Sequence, residues 1–236
     1  MSDADFDLDS LARYLHLTPQ QVERLANRNK VPGRKVGGEW RFSPAEIHHW
    51  MEDRMGLLED EELAKVEGSL HPEGSPGQDI VPIRDMLSLA TIAIPLVANT
   101  RNAVIEQMSE LAAANGLLWD PPKMAAAVRA REQLQSTAME NGVALLHPRR
   151  PLPTILAEPI LALGVSSRGI PFGGSRSLTD IFFLICSTDD RGHLRTLARL
   201  SRLLGTEGFV DRLRASTDAQ QAYDLICQAE GELASY

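Results

Sequence analysis

Leu8, Leu11, Ala12 and Leu15 fall on one face of a helix, and Val22, Leu25 and Ala26 form the inward stripe of a second. Thr18 followed by Pro19 supplies that second helix with an N-cap and a proline at its first position, and Pro32 prevents its continuation. From Arg34 to Phe42, β-prone residues flank Gly37 and Gly38, the signature of a hairpin. Ser43, Pro44 and Glu46 then form a capping box for a helix carrying Ile47 and Trp50. Residues 1–54 therefore predict helix, turn, helix, hairpin, helix.

Past residue 82 the pattern changes. Residues 83–89 suggest a short helix and 91–98 an extended stretch. Val104, Ile105, Met108, Leu111 and Ala112 then mark an amphipathic helix from Thr100 to a stop at Gly116. Asp120 and Pro121 start another that extends to Leu134. The short apolar runs 143–146, 160–165 and 181–186, bounded by Gly and Pro, read as strands buried on both faces. Two helices close the chain, 192–204 ended by Gly205 and 219–230 behind a Thr217 cap. Helices before, between and after buried strands imply a three-layer α/β domain, a mixed sheet covered by helices on both faces.

Charge separates the two regions. Residues 57–79 carry Glu59, Asp60, Glu61, Glu62, Glu67, Glu73 and Asp79 against Lys65 alone, with interspersed Gly and Pro, and read as a solvated linker. The expected organisation is a small winged helix-turn-helix over 1–54, an acidic linker over 55–82 and the α/β domain over 83–236. No apolar run approaches the roughly 20 residues that span a bilayer. Residues 1–9 are acidic and lack the basic start and apolar stretch of a signal peptide, so no membrane insertion and a cytoplasmic location are expected. Cys186 and Cys227 lie far apart without ligand spacing and read as reduced structural thiols, so no metal and no cofactor are expected.

The net charge of -8 argues against coating of nucleic acid by the whole molecule, but a local basic patch exists between Arg24 and Arg41. On the outer side of the second helix, Gln20 and Gln21 suit adenine edges, and Arg24 and Arg28 suit guanine or phosphate. Arg34, Lys35 and Arg41 on the hairpin could neutralise phosphates while Gly37 and Gly38 permit close approach. Spacing alone leaves ordinary surface charge equally open. The segments 17–25 (LTPQQVERL), 30–32 (KVP) and 36–42 (VGGEWRF) resemble the excisionase and MerR-related helix-turn-helix module, which implies DNA as a partner; a single module this small binds weakly, so a homodimer or paired sites are expected.

Six histidines are present. His16, His48 and His49 lie in predicted helices and read as surface or packing residues, and His71 lies in the linker. His147 ends the apolar strand 143–146 just before Pro148, where an imidazole is accessible, fixed and able to act as a nucleophile. Arg131, Arg149 and Arg150 are near it in sequence and offer fork-shaped donors to phosphoryl oxygens. Spacing by itself leaves a packing role open. The segments 131–137 (REQLQST), 141–147 (NGVALLH) and 182–186 (FFLIC), with Gly192, His193, Leu194, Leu197 and Ala198, resemble the fructose, mannitol and nitrogen-regulatory IIA domains of the phosphotransferase system over residues 83–228.

That resemblance implies His147 as phosphoacceptor, His193 as its neighbour and Arg131 as stabiliser of the phosphoryl charge. It also implies phosphotransferase-type chemistry through a phosphohistidine, with an HPr-like phosphocarrier protein as donor. The family commonly has Pro before the acceptor and a small residue after it; this chain has Leu146 and Pro148. Three functions follow from the combined pattern. The first is a regulator of transcription or metabolism switched at His147. The others are a sugar-specific IIA carrier feeding a permease, and a phosphorylation-incompetent protein that binds DNA or docks a kinase or transporter partner.

Overall fold

The computed structural model describes residues 5–15, 17–55, 63, 81–173 and 178–233. His16, His71 and most of the expected linker lie outside the described residues. By its contacts the chain divides into two compact units, Met1–Pro76 and Gly77–Tyr236.

In the first unit, α1 (Leu8–Leu15) and α2 (Pro19–Asn27) precede a hairpin, β1 (Arg34–Val36) and β2 (Glu39–Arg41), and then α3 (Pro44–Met55). The α2 start is a full capping box: the Thr18 side chain accepts from the Gln21 N–H, and the Gln21 side-chain oxygen accepts from the Thr18 N–H at 2.8 Å. Pairing of Val36 with Glu39 leaves Gly37 and Gly38 as a two-residue loop, with φ of +61° and +88° that side-chain-bearing residues resist. Leu11, Ala12, Val22, Ala26, Phe42 and Ile47 make the core. The Trp50 indole N–H donates to the Lys30 carbonyl at 2.8 Å, which ties α3 to the turn between α2 and the wing.

The second unit begins with α4 (Ile83–Met86), a 3-10 turn (Leu89–Thr91) and a two-residue strand, β3 (Ile92–Ala93). There follow α5 (Arg101–Ala112), α6 (Pro121–Leu134), β4 (Val143–Leu146), β5 (Ile160–Pro171), β6 (Leu178–Cys186), α7 (Asp190–Gly205), α8 (Phe209–Arg214) and α9 (Ala219–Leu233). The sheet order is β3-β5-β6-β4; β5 and β6 are antiparallel, whereas β3 with β5 and β4 with β6 are parallel. Alternation divides each strand between two cores. Ala144, Leu146, Ala162, Phe182 and Leu184 face α5 and α6. The remaining positions, among them Leu145 and Phe183, serve the face on which α4, α7 and α9 pack. Each fully buried Leu or Phe contributes about 1.5–3 kcal/mol. Gly164 lets α5 approach β5: a Cβ there would sit 2.7 Å from Met108 Sδ and 2.8 Å from Leu96 Cδ2. Among the described residues no helix is long and apolar enough to cross a membrane.

Several details depart from the sequence reading. β5 continues past Val165 to Pro171 through a register shift, although Ser167, Arg168 and Gly169 are exposed. The last helix is capped by Asp218, whose Oδ1 accepts from the Gln221 N–H at 2.9 Å; Thr217 is one residue too early. The short helix α8 was not expected. Its six residues give too little periodicity, and it starts from Gly208 in the left-handed region.

Glu230 of α9 is 1% exposed. Its oxygens accept from the Ile83 N–H at 2.7 Å and the Arg84 N–H at 3.1 Å, and Arg199 of α7 lies 3.0 Å away. One carboxylate thus caps α4 and neutralises a cation on a third helix. Glu230→Ala is expected to destabilise the unit by about 3 kcal/mol, because it removes the acceptor of two amides and the carboxylate 3.0 Å from Arg199. Urea unfolding checks this; a shift of the midpoint within error contradicts it.

Candidate functional site

In the parallel pair of β4 and β6, Leu146 ends β4 opposite Leu184, two residues before the end of β6. His147 follows β4 directly, while Ser187 follows β6 and leads to Asp189, the N-cap of α7. His147 has the parity of Val143 and Leu145, which turns its ring toward the α7 face. His193 comes from the first turn of α7, and the two ring centroids lie 5.0 Å apart at 55°. Both rings are nearly enclosed, His147 at 3% and His193 at 4% exposure. The strand end turns the side chain toward the α7 face, where the α7 imidazole lies beside it.

Hydrogen bonds set the chemistry of each ring. His147 Nδ1 lies 2.8 Å from the Leu145 carbonyl. A carbonyl only accepts, so in the neutral ring the proton sits on Nδ1 and the lone pair on Nε2. His193 Nδ1 lies 3.2 Å from the buried Ser187 hydroxyl, which can hold that ring in either tautomer. Neither partner was singled out from sequence; Ser187, two residues before an N-capping Asp, carried the only available signal.

Arg131, on the last turn of α6, is 4% exposed and donates from Nη1 to the Gln135 carbonyl at 2.8 Å. The chain after it runs antiparallel along the free edge of β4, with Ala138 opposite Ala144 and the Met139 N–H donating to Val143 at 2.8 Å. Gln135 is therefore at the C-terminal end of β4, the end that carries His147, and Arg131 is held there with it. Among the described residues, Arg131 Nε has no hydrogen-bond partner and no carboxylate pairs with the guanidinium. A buried cation without a counter-charge is costly, and an anion at this strand end would relieve it.

A family model described as "Phosphoenolpyruvate-dependent sugar phosphotransferase system, EIIA 2" matches residues 85–229. The chain belongs to this family. A nitrogen regulatory protein of Bradyrhizobium diazoefficiens is 32% identical over 152 residues, which span 62% of this chain and 95% of that one. The nitrogen regulatory protein of Escherichia coli is 26% identical over 133 residues, spanning 56% and 81%. Among solved structures, nitrogen regulatory protein IIA-Ntr from Neisseria meningitidis matches with a TM-score of 0.55 at 18% identity, over 61% of this chain and 98% of that one. The Escherichia coli IIA mannitol structure matches at 0.53 and 19%, over 59% and 98%. Both share the fold of the EIIA unit.

A helix-turn-helix domain model matches residues 6–55 of this EIIA family member. There, Gln20, Gln21 and Arg24 on α2 and Arg28 at its C-cap are all exposed, while Val22 and Ala26 are buried. The structure engages several of the remaining candidates locally. Gln21 is occupied at its oxygen by the capping box. Arg34 pairs with Asp5 and Arg41 with Glu39, each at 2.8 Å, and Lys35 lies over the Trp40 ring at 5.1 Å. The patch is thus less positive than its list of cations. Glu39 stands directly opposite Val36 in the hairpin, and its effect on Arg41 is legible from that spacing; Asp5 is distant in sequence and gave no signal.

Proposed function

We propose that the chain is a regulatory IIA-type protein that accepts a phosphoryl group on Nε2 of His147 and binds DNA through its helix-turn-helix unit, with residues 55–82 as the tether. The observation that carries the first part is the bond between His147 Nδ1 and the Leu145 carbonyl. It leaves Nε2 as the nucleophilic nitrogen and holds the ring in one orientation. In the transfer, the Nε2 lone pair forms a bond to phosphorus while the N–P bond of a donor phosphohistidine breaks, and the donor imidazole departs with the electron pair. No proton need move, because His147 keeps its proton on Nδ1. His193 and Arg131 act on the phosphoryl oxygens, the first as a hydrogen-bond donor and the second as the uncompensated cation.

An HPr-like phosphocarrier protein is the donor this chemistry calls for, and the cytoplasm is where donor and DNA are both available. A phosphoryl group adds negative charge and strong acceptors at one strand end, which can change what the protein binds. Reconstitution with purified general phosphotransferase proteins and phosphoenolpyruvate, followed by mass spectrometry, is expected to show one acid-labile phosphohistidine. Its absence under every donor overturns the phosphorylation reading. Passage of the label to a IIB domain would assign the chain to sugar uptake.

DNA binding is expected to weaken steeply with salt, as each phosphate contact releases counterions. Arg24→Ala should lower affinity and reduce the salt slope by about 1. Arg41→Ala should do less, since Glu39 already occupies that guanidinium. A unit this small is expected to bind as a pair of copies on paired half-sites. Fluorescence anisotropy across a salt series tests this, and salt-insensitive binding contradicts it.

A further inference from the structure

We propose that Glu132 is a positioning residue of the phosphohistidine site, held by Arg101 and acting through Thr137 and the Leu145 peptide on the tautomer of His147. This inference rests on the phosphoacceptor reading above.

Glu132 is the neighbour of Arg131 on the last turn of α6, yet its carboxylate is spent elsewhere. Its side chain is 1% exposed, and Oε2 lies 2.8 Å from Nη2 of Arg101, at the start of α5. The same Arg101 nitrogen also donates to the Glu132 main-chain carbonyl, while the guanidinium lies 5.3 Å over the Phe172 ring. The other carboxylate oxygen, Oε1, accepts from the Thr137 N–H at 3.0 Å and from the Thr137 hydroxyl. A buried carboxylate that accepts from a guanidinium, an amide and a hydroxyl is satisfied, and it carries no charge over to Arg131.

The chain of bonds continues to the reacting ring. The Thr137 carbonyl accepts from the Leu145 N–H at 3.4 Å. The Leu145 carbonyl in turn accepts from Nδ1 of His147 at 2.8 Å. Thr137 and Gln135 belong to one short segment, so successive residues of α6 grip it from both kinds of backbone group: Arg131 through the Gln135 carbonyl, Glu132 through the Thr137 amide. Loosening this segment frees the Leu145 peptide to tilt, and the bond that selects the Nδ1–H tautomer weakens. A carboxylate released from Arg101 also becomes available to Arg131, cancelling the charge meant for phosphoryl oxygens.

The two effects predict a specific kinetic pattern. Geometry and charge at the ring govern the transfer step, and Thr137 and Arg101 are taken to act on it through the buried Glu132 carboxylate rather than on donor docking. Thr137→Val and Arg101→Met should therefore slow the step at saturating donor, by roughly three- to tenfold and tenfold or more, and leave the half-saturating donor concentration unchanged. Thr137→Ser retains both donors and should behave as the unaltered protein.

The experiment uses the full-length protein with phosphoramidate as a small chemical donor, alongside the protein donor system. ¹⁵N spectra of the histidine rings are recorded before labelling. The expected result is a single Nδ1–H tautomer of His147 in the unaltered chain and in Thr137→Ser. Thr137→Val should show a mixture of tautomers and slower labelling from both donors. Unchanged tautomer and rate in Thr137→Val, with a labelled unaltered chain, overturns the role of Glu132 alone. An unlabelled unaltered chain overturns the phosphoacceptor reading and this inference with it. Arg101→Met carries the larger effect; if it does not fold, the Thr137 pair still decides.

Discussion

A His147→Ala chain is expected to take up no acid-labile phosphoryl label under conditions that label the unaltered protein. The expectation follows from the assignment of roles within one pair of rings. Nε2 of His147 bears the lone pair because Nδ1 is bound to the Leu145 carbonyl, whereas His193 Nδ1 lies beside the Ser187 hydroxyl, which fixes no single tautomer. His147 is therefore the ring that a strand-end carbonyl sets up as the nucleophile. His193→Ala should label slowly, losing one donor to the phosphoryl oxygens and about 10²-fold in rate. The end point after long incubation is the deciding readout for His147→Ala. Label remaining on that variant would place the acceptor elsewhere in the chain.

Arg131→Met is expected to move function and stability in opposite directions. The guanidinium is 4% exposed and lacks a carboxylate partner among the described residues. Without phosphoryl bound, that buried charge opposes folding, and a thioether of similar length relieves the cost. The substitution should raise stability by about 1 kcal/mol, less the loss of the Gln135 bond. Labelling should fall about 100-fold, as for loss of one preorganised donor to a developing charge. Urea unfolding and initial labelling rates read the two quantities separately. A destabilised protein that labels normally would mean that Arg131 serves packing alone.

Local rules made most of the fold legible. Thr18-Pro19, Asp120-Pro121 and Gly37-Gly38 mark helix starts and a turn by backbone chemistry that needs no tertiary partner, and the structure places helix starts and a turn at those points. The buried runs at 143–146, 160–165 and 181–186 became β4, β5 and β6, since strands covered on both faces have no polar positions to interrupt them. What the sequence did not reveal depends on distant pairing. The edge of β4 is closed by 137–139, and Arg101 meets Glu132 across 31 positions. On the wing, cations were visible and their counter-charges only half so, Glu39 being local and Asp5 remote.

The central claim is that Nε2 of His147 is the atom that receives phosphorus. Its most direct test is the coupling between ³¹P and ring ¹⁵N in the phosphorylated, ¹⁵N-histidine-labelled protein. The account predicts coupling to Nε2 of one ring, with Nδ1 of that ring still protonated and the signal absent from His147→Ala. Coupling to Nδ1, or to the ring of His193, would contradict it.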